Sequence, residues 1–277
     1  RSYKPNGWPM IPMFIEAVMR NGRVPEDYDM SHLLAAGAGC EAVNNNQLDR
    51  VQEFLHKHNC NVRFTVGYGS SEGGSNLTFQ MAPKSVHNGN VGIPMPLNDM
   101  GVFKPGTQEE LGYNEMGEIC TVGPGNMLGY DRRSATAKTL QRHADGKIWL
   151  HTGDIGYVDE DGVFYVLNRG AAFRYGGGEL AVLPMENRLA DAKIKGIKDE
   201  FFVLIEDEDH DGYFVPYLYV VLEDGYKVDD IIKDVQSCLE PYMFPVEILA
   251  IDERPFFHFK TNRIELSKEL KKKNHDC

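Results

Sequence analysis

The segment His151-Thr152-Gly153-Asp154-Ile155-Gly156-Tyr157-Val158-Asp159-Glu160-Asp161-Gly162, with Asn168-Arg169-Gly170 a few residues on, sets a carboxylate in a glycine turn and a guanidinium beyond a short strand. Val163-Phe164-Tyr165-Val166-Leu167 is β-branched and aromatic, and Glu160-Asp161-Gly162 supplies turn chemistry. The local expectation is a hairpin, with Asp154 where one strand ends and Arg169 where the next ends. A carboxylate accepts two hydrogen bonds from a vicinal diol, and a guanidinium donates to hydroxyl or phosphate oxygens while staying charged. Such a pair would clamp a ribose. Taken alone, the tripeptide fits equally an aspartate that caps a turn, with Arg169 a surface charge.

The elements that must position this pair follow from periodicity and punctuation. Residues 12–20 are amphipathic and stop at Asn21-Gly22, and residues 46–57 carry Leu48, Val51, Phe54 and Leu55 at helical spacing. Between them a short strand, Leu33-Leu34-Ala35-Ala36, leads into Gly37-Ala38-Gly39, a small-residue turn against whose backbone a flat ring could lie. By itself that turn is an ordinary strand-to-helix connection. From about residue 91 glycine and proline interrupt the chain too often for long helices, which predicts a small β-rich subdomain, broken by one helix over residues 133–140. A boundary is expected near Arg169. Beyond it come a glycine loop at Tyr175-Gly176-Gly177-Gly178-Glu179, a helix start with Pro184 in its first turn, strands over 201–205 and 217–222, and a helix over 228–239. That order suggests a separate α+β unit.

Composition narrows the class. With 277 residues, 42% hydrophobic and 25% charged, the chain can bury a sizeable core in two domains. Lys and Arg number 29 against 41 Asp and Glu, a formal net charge of −12, which argues against nonspecific nucleic-acid binding. The basic run Lys268-Glu269-Leu270-Lys271-Lys272-Lys273 reads as a solvated helix end. Cys40, Cys60, Cys120, Cys238 and Cys277 lack metal-ligand spacing, and reduced thiols in a cytoplasmic protein are the simplest account. No apolar run approaches the roughly 20 residues of a membrane span.

Further motifs stand in order along the chain: Gly67-Tyr68-Gly69-Ser70-Ser71-Glu72 after the apolar run Val62-Arg63-Phe64-Thr65-Val66, then Gly117-Glu118-Ile119-Cys120-Thr121-Val122-Gly123-Pro124, then Gly129-Tyr130. With Thr152-Gly153-Asp154 and Arg169-bearing Asn168-Arg169-Gly170, the chain resembles the adenylate-forming superfamily: acyl-CoA synthetases, coumarate ligases, luciferases and the adenylation domains of peptide synthetases. The resemblance runs from about Trp8 to the final basic helix. It implies an α/β fold in which residues 1–168 are the C-terminal part of a large AMP-binding domain, an α/β layer plus the β-rich subdomain of about 91–168. Residues 170–277 would be a mobile C-terminal lid.

It also implies roles. Gly37, Ala38 and Gly39 would border the adenine, Tyr68 would stack on it, and Gly69 would belong to the same nucleotide loop. Ser71 would bond the α-phosphate, Glu72 would hold Mg²⁺, Asp154 would accept the ribose hydroxyls, and Arg169 would contact ribose or phosphate. The implied partners are ATP or AMP, a carboxylic acid, and the thiol of CoA or of a carrier protein. The reaction implied is carboxylate activation, placed in fatty-acid metabolism, in two steps through an acyl-adenylate.

Three departures qualify the resemblance. The glycine-, serine- and threonine-rich phosphate loop is absent, so the expectation is the C-terminal half of a protein roughly twice this length, inactive in isolation. Lys260-Thr261-Asn262-Arg263-Ile264-Glu265 stands where the family has Thr-x-x-Gly-Lys-Ile, so Arg263 replaces the lysine and Lys260 is a possible substitute. A planar fork is not a compact ammonium. Ala171 occupies a hinge position that is Asp or Lys in the family. The expectation is an ATP-dependent acid–thiol ligase, acyl-CoA synthetase-like, that transfers the acyl group to CoA; a carrier-loading adenylation domain and a non-catalytic nucleotide-binding homologue are the alternatives.

Overall fold

The computed structural model describes residues 4–80, 84–257 and 260–275. The chain divides into two compact units, residues 1–43 with 47–170, and residues 44–46 with 171–277.

The first unit opens with a three-stranded sheet in the order Gly7–Met10, Ala35–Ala38, Phe64–Val66, all parallel. Parallel neighbours need crossovers, and the helices Pro12–Arg20 and Asn45–Lys57 supply them. Proline opens the first of these, where its missing N–H costs nothing. The expected helical stripe is inward: Leu48, Val51 and Leu55 are buried beside Ile15 and Phe64. Gly37 and Ala38 lie within the strand and not in the turn that the sequence predicted, leaving Gly39 beyond it. Close strand approach explains the glycine, since a Cβ on Gly37 would stand 2.7 Å from Thr65 Oγ1 and 2.9 Å from the Thr65 carbonyl oxygen.

A second, antiparallel sheet of seven strands follows. Its order is Thr78–Phe79, Asn90–Pro94, Phe164–Arg169, Ile148–Val158, Gly117–Val122, Asp99–Phe103, with Leu140–Arg142 also paired to Ile148–Val158. It therefore begins before residue 91, because Thr78–Phe79 pairs with Ile93 and Pro94. The expected hairpin is present: Asp159 Oδ1 accepts from the Asp161 and Val163 amides at 3.0 and 2.9 Å, and Gly162 takes φ 76°. Asp154, however, lies inside Ile148–Val158 and not at its end. The strand survives because pairing with Gly117–Val122 skips from His151 to Ile155, and Gly153 takes φ 74° in the resulting bulge.

The second unit is built on the antiparallel pair Ile197–Glu206 and Phe214–Leu222, with Glu247–Ala250 added parallel. Strand alternation sends Phe202 toward one cluster with Leu218, Ile231 and Val235, while Phe201, Val203 and Ile205 join Leu270 in another. Helices Val182–Ala192 and Val228–Cys238 contribute to the first cluster, and Arg263–His275 to the second. No helix among the described residues is long and apolar enough to cross a membrane.

Candidate functional site

Asp154 and Arg169 are register partners on adjacent strands. The Asp154 amide donates to Thr152 Oγ1 at 3.1 Å, and the Thr152 hydroxyl donates to the Ile119 carbonyl at 2.6 Å. Across the hairpin the Gly170 amide donates to the Gly153 carbonyl at 2.7 Å. The bulge is thus tied on both sides, and it projects a carboxylate toward Tyr68, whose hydroxyl donates to Asp154 Oδ2 at 2.7 Å. Tyr68 is fixed by its backbone: its amide donates to Thr78 Oγ1 at 3.1 Å, and Thr78 in turn donates to the Val91 carbonyl at 2.7 Å. Burial, then the Asp154 charge, push the Tyr68 phenol well above its ordinary value, so it stays a neutral donor. Its ring lies in the cluster that holds Ala38 and Val66.

The turn at 71–74 carries the second acid. Gly69–Ser70 pairs with Ser75–Asn76, and a Cβ on Gly69 would fall 1.9 Å from the Ser75 carbonyl oxygen. Ser71 is exposed, and its carbonyl accepts from the Gly74 amide at 3.2 Å. The loop before Tyr130 packs directly on this turn: the Met127 amide donates to the Glu72 carbonyl at 2.7 Å, and Tyr130 Oη donates to Glu72 Oε1 at 2.7 Å. The Tyr130 hydrogen bond chiefly holds the Glu72 carboxyl below its usual range, and Arg169 adds to the effect. The Arg169 charge also acts on Tyr68 and Tyr130, so the two tyrosine–acid pairs share one cationic neighbour. Tyr130 belongs to the Gly-Tyr motif, but the sequence alone assigned it no role.

A third network lies behind the bulge, and residue spacing did not reveal it. Glu118 Oε1 accepts from the Gly153 amide at 2.9 Å, while Oε2 lies 2.8 Å from His151 Nδ1. His151 Nε2 is 2.9 Å from His143 Nε2, and Cys120 Sγ is 3.4 Å from His151 Nδ1. Burial disfavours the Glu118 anion, yet His151 and the Gly153 amide outweigh it and leave the carboxyl below its ordinary value. Burial and then Glu118 push the Cys120 thiol strongly upward. Burial and then the His151 charge lower His143.

In the second unit Arg263 opens the helix Arg263–His275. Its Nη2 contacts Glu186 Oε1 at 2.8 Å and its Nε donates to the Phe202 carbonyl at 3.0 Å, while the Phe202 amide donates back to Glu186 Oε1 at 3.0 Å. The guanidinium is therefore a structural tie within its own unit. Lys260 is exposed on the two-residue strand Lys260–Thr261 and makes no ion pair among the described residues. Ala171 is the first residue of the second unit after Gly170, which takes φ 78°.

Residues 1–131 match the family model described as AMP-binding enzyme. Curated relatives include 4-coumarate–CoA ligase 2 of Nicotiana tabacum, 29% identical over 242 residues, which cover 85% of this chain and 42% of that enzyme. Another is 4-coumarate–CoA ligase 1 of Arabidopsis thaliana, 30% identical over 204 residues, covering 69% of this chain and 35% of the relative. Among solved structures, ATP-bound MatB from Rhodopseudomonas palustris aligns with TM-score 0.80 at 20% identity over 97% of this chain and 51% of that one. The anthranilate CoA ligase AuaEII in complex with anthranoyl-AMP aligns with TM-score 0.76 at 18% identity over 96% of this chain and 50% of that one. The chain belongs to the adenylate-forming, AMP-binding superfamily. It spans about half the length, or less, of these relatives.

Proposed function

We propose that this chain carries the nucleoside-binding part of a carboxylate-activating ligase, with Asp154 the acceptor of the ribose hydroxyls. The observation that supports this most is the hydrogen bond from Tyr68 to Asp154, with Arg169 in register beside the carboxylate. A buried neutral phenol orients the acid, and a carboxylate is the group that accepts from vicinal hydroxyls. Gly37, Ala38 and Gly39 would border the adenine, Gly69 and Ser71 would meet the phosphate side, and the Tyr68 ring would face the base.

Glu72 fits a hard cation. Its carboxyl is held anionic by Tyr130, and Mg²⁺ commonly takes only one or two protein carboxylates beside phosphate oxygens. When bound, the ion would neutralise phosphate charge; the chain's own task is to hold Glu72 and Arg169 toward that space. In the reaction proposed for the whole protein, a substrate carboxylate oxygen attacks the α-phosphorus of ATP and pyrophosphate leaves with the bridging oxygen. A thiol, of CoA or of a carrier protein, then takes the acyl group and releases AMP. Positioning and charge neutralisation account for such catalysis. The setting proposed is cytoplasmic. Relatives named for 4-coumarate and anthranilate make aromatic acids test substrates alongside fatty acids.

Calorimetric titration with AMP tests the nucleoside site. Asp154→Ala is expected to weaken binding by about 1.5–3 kcal/mol, the value of a hydrogen bond to a charged group. Unchanged affinity would sink the clamp. A second reading, a nucleotide-binding homologue without the lysine chemistry, draws on Arg263 being tied to Glu186 and Phe202. In the whole protein, pyrophosphate release that falls at least tenfold in Lys260→Ala and little in Arg263→Met favours a ligase using Lys260. No release from the unmodified protein with any acid favours the second reading.

A further inference from the structure

We propose that Glu118, Cys120 and His151 form a site for a thiophilic divalent cation of the Zn²⁺ class, set directly behind the Asp154 bulge. Three different ligand types converge there: one carboxylate oxygen, one sulfur and one imidazole nitrogen, all within 4.8 Å of one another. Tetrahedral zinc with nitrogen or oxygen near 2.1 Å and sulfur near 2.3 Å holds its ligand atoms about 3.4–3.6 Å apart. Cys120 Sγ and His151 Nδ1 already stand 3.4 Å apart, and the His151–Glu118 contact of 2.8 Å need open only slightly. Cys120 is a free thiol with 0% exposure and His151 is 7% exposed, so two of the three ligands are withdrawn from water.

The surroundings fit a metal-bound imidazole. With Nδ1 on the ion, His151 would carry its proton on Nε2 and donate it to His143 Nε2, 2.9 Å away. A second partner that fixes the tautomer and orients the ring is the usual companion of a ligating histidine. His143 is itself held by an edge contact with Phe103 at 4.9 Å and a stacked contact with Trp149 at 5.6 Å. The sulfur and imidazole select Zn²⁺, Co²⁺ or Cd²⁺ over Mg²⁺ and Ca²⁺, which prefer all-oxygen shells. This separates the site from Glu72.

Glu118 couples the site to the bulge, because its other oxygen holds the Gly153 amide next to Asp154. Drawing Glu118 onto an ion changes that hold. Resting on the nucleoside reading, this part of the proposal predicts that Zn²⁺ weakens AMP binding severalfold.

The test uses the 277-residue chain, loaded with Co²⁺ or Zn²⁺ alone. Expected are a thiolate-to-cobalt charge-transfer band and one bound ion. Cys120→Ser and His151→Gln should each weaken Zn²⁺ binding at least tenfold, and Cys40→Ser should leave it unchanged. Zinc-edge X-ray absorption on the wild-type chain needs no variant to fold, and one sulfur in the first shell is expected. A shell of nitrogen and oxygen only, or Zn²⁺ affinity unaffected by Cys120→Ser, overturns the site. AMP titrated with and without Zn²⁺ reads the coupling: AMP affinity unchanged by saturating Zn²⁺ overturns it. Failure of AMP to bind without metal would instead strike the nucleoside reading and leave the metal measurements standing.

Discussion

Asp154 and Glu72 are each met by a tyrosine hydroxyl at 2.7 Å, and the two tyrosines serve different ends. Tyr68 is buried, so its bond works from inside the fold; Tyr130 is 40% exposed and works from the rim. The Glu72 carboxyl sits below its ordinary value, so its bond stabilises the fold above the unfolded pKa of about 4.3 and is lost as pH falls through the folded value. Tyr130→Phe removes the largest cause. The Glu72 carboxyl resonance, followed by NMR, is then expected to titrate at higher pH than in the wild type; an unmoved titration would show that Arg169 or the backbone holds it instead. Both acids stand out in the sequence because family-type motifs surround them. Their pairing with the tyrosines could not be assigned: the sequence separations of 86 from Tyr68 to Asp154 and of 58 from Glu72 to Tyr130 are closed only by tertiary structure.

At the scale of elements, strands and helices were legible where periodicity was strong. The helix Pro12–Arg20 falls on its predicted residues, and Val228–Cys238 ends one residue early. The errors came where pairing overrode local signals. Gly37 and Ala38 looked like a turn because small residues punctuate, yet both sit in a strand pressed against Thr65. Gly37→Ala would force its Cβ against the Thr65 hydroxyl and carbonyl oxygens, and overpacking of this kind costs about 1–3 kcal/mol. Chemical denaturation is expected to show that loss; an unchanged midpoint would mean the neighbouring strand yields freely. Thr152–Asp154 likewise read as a strand end, because a bulge glycine is indistinguishable from a turn glycine without its partner strand. Behind the bulge, His143 is held below its ordinary value, so its neutral form stabilises the fold above about pH 6.5 and that contribution is lost as pH falls through the folded value. Glu118, also depressed, adds a second loss at lower pH, below the ordinary glutamate value. His143→Gln keeps a hydrogen-bonding amide without a titrating ring and should flatten the first of these limbs. Melting temperatures measured between pH 7 and 5 would show it, and parallel slopes for variant and wild type would refute the assignment.

The whole molecule is two units of different construction, and each owns its core. In the second, one strand pair feeds both faces: Phe202 and Leu218 on one side, Phe201, Val203 and Ile205 on the other, each covered by helices of the same unit. Two buried carboxylates, Asp199 and Glu186, are also paired internally. Arg254 meets Asp199 through Nε at 3.0 Å and Nη2 at 2.7 Å, and its guanidinium lies 4.7 Å from the Phe201 ring centre. Arg263 joins Glu186 to the Phe202 backbone. A unit whose strand faces are covered from within, and whose buried Asp199 and Glu186 each meet a cation of the same unit, should fold from its own residues. Residues 171–277 expressed alone, which leaves out only the 44–46 segment of the unit and its bond from the Asn45 amide to Asn187, are therefore expected to melt in one cooperative transition with dispersed amide resonances. Arg254→Met in that piece should lower its stability by about 3–5 kcal/mol, because Asp199 is left buried without its cation. A molten piece with collapsed resonance dispersion, or an Arg254→Met variant as stable as its parent, would mean that the order of this unit is supplied from outside it.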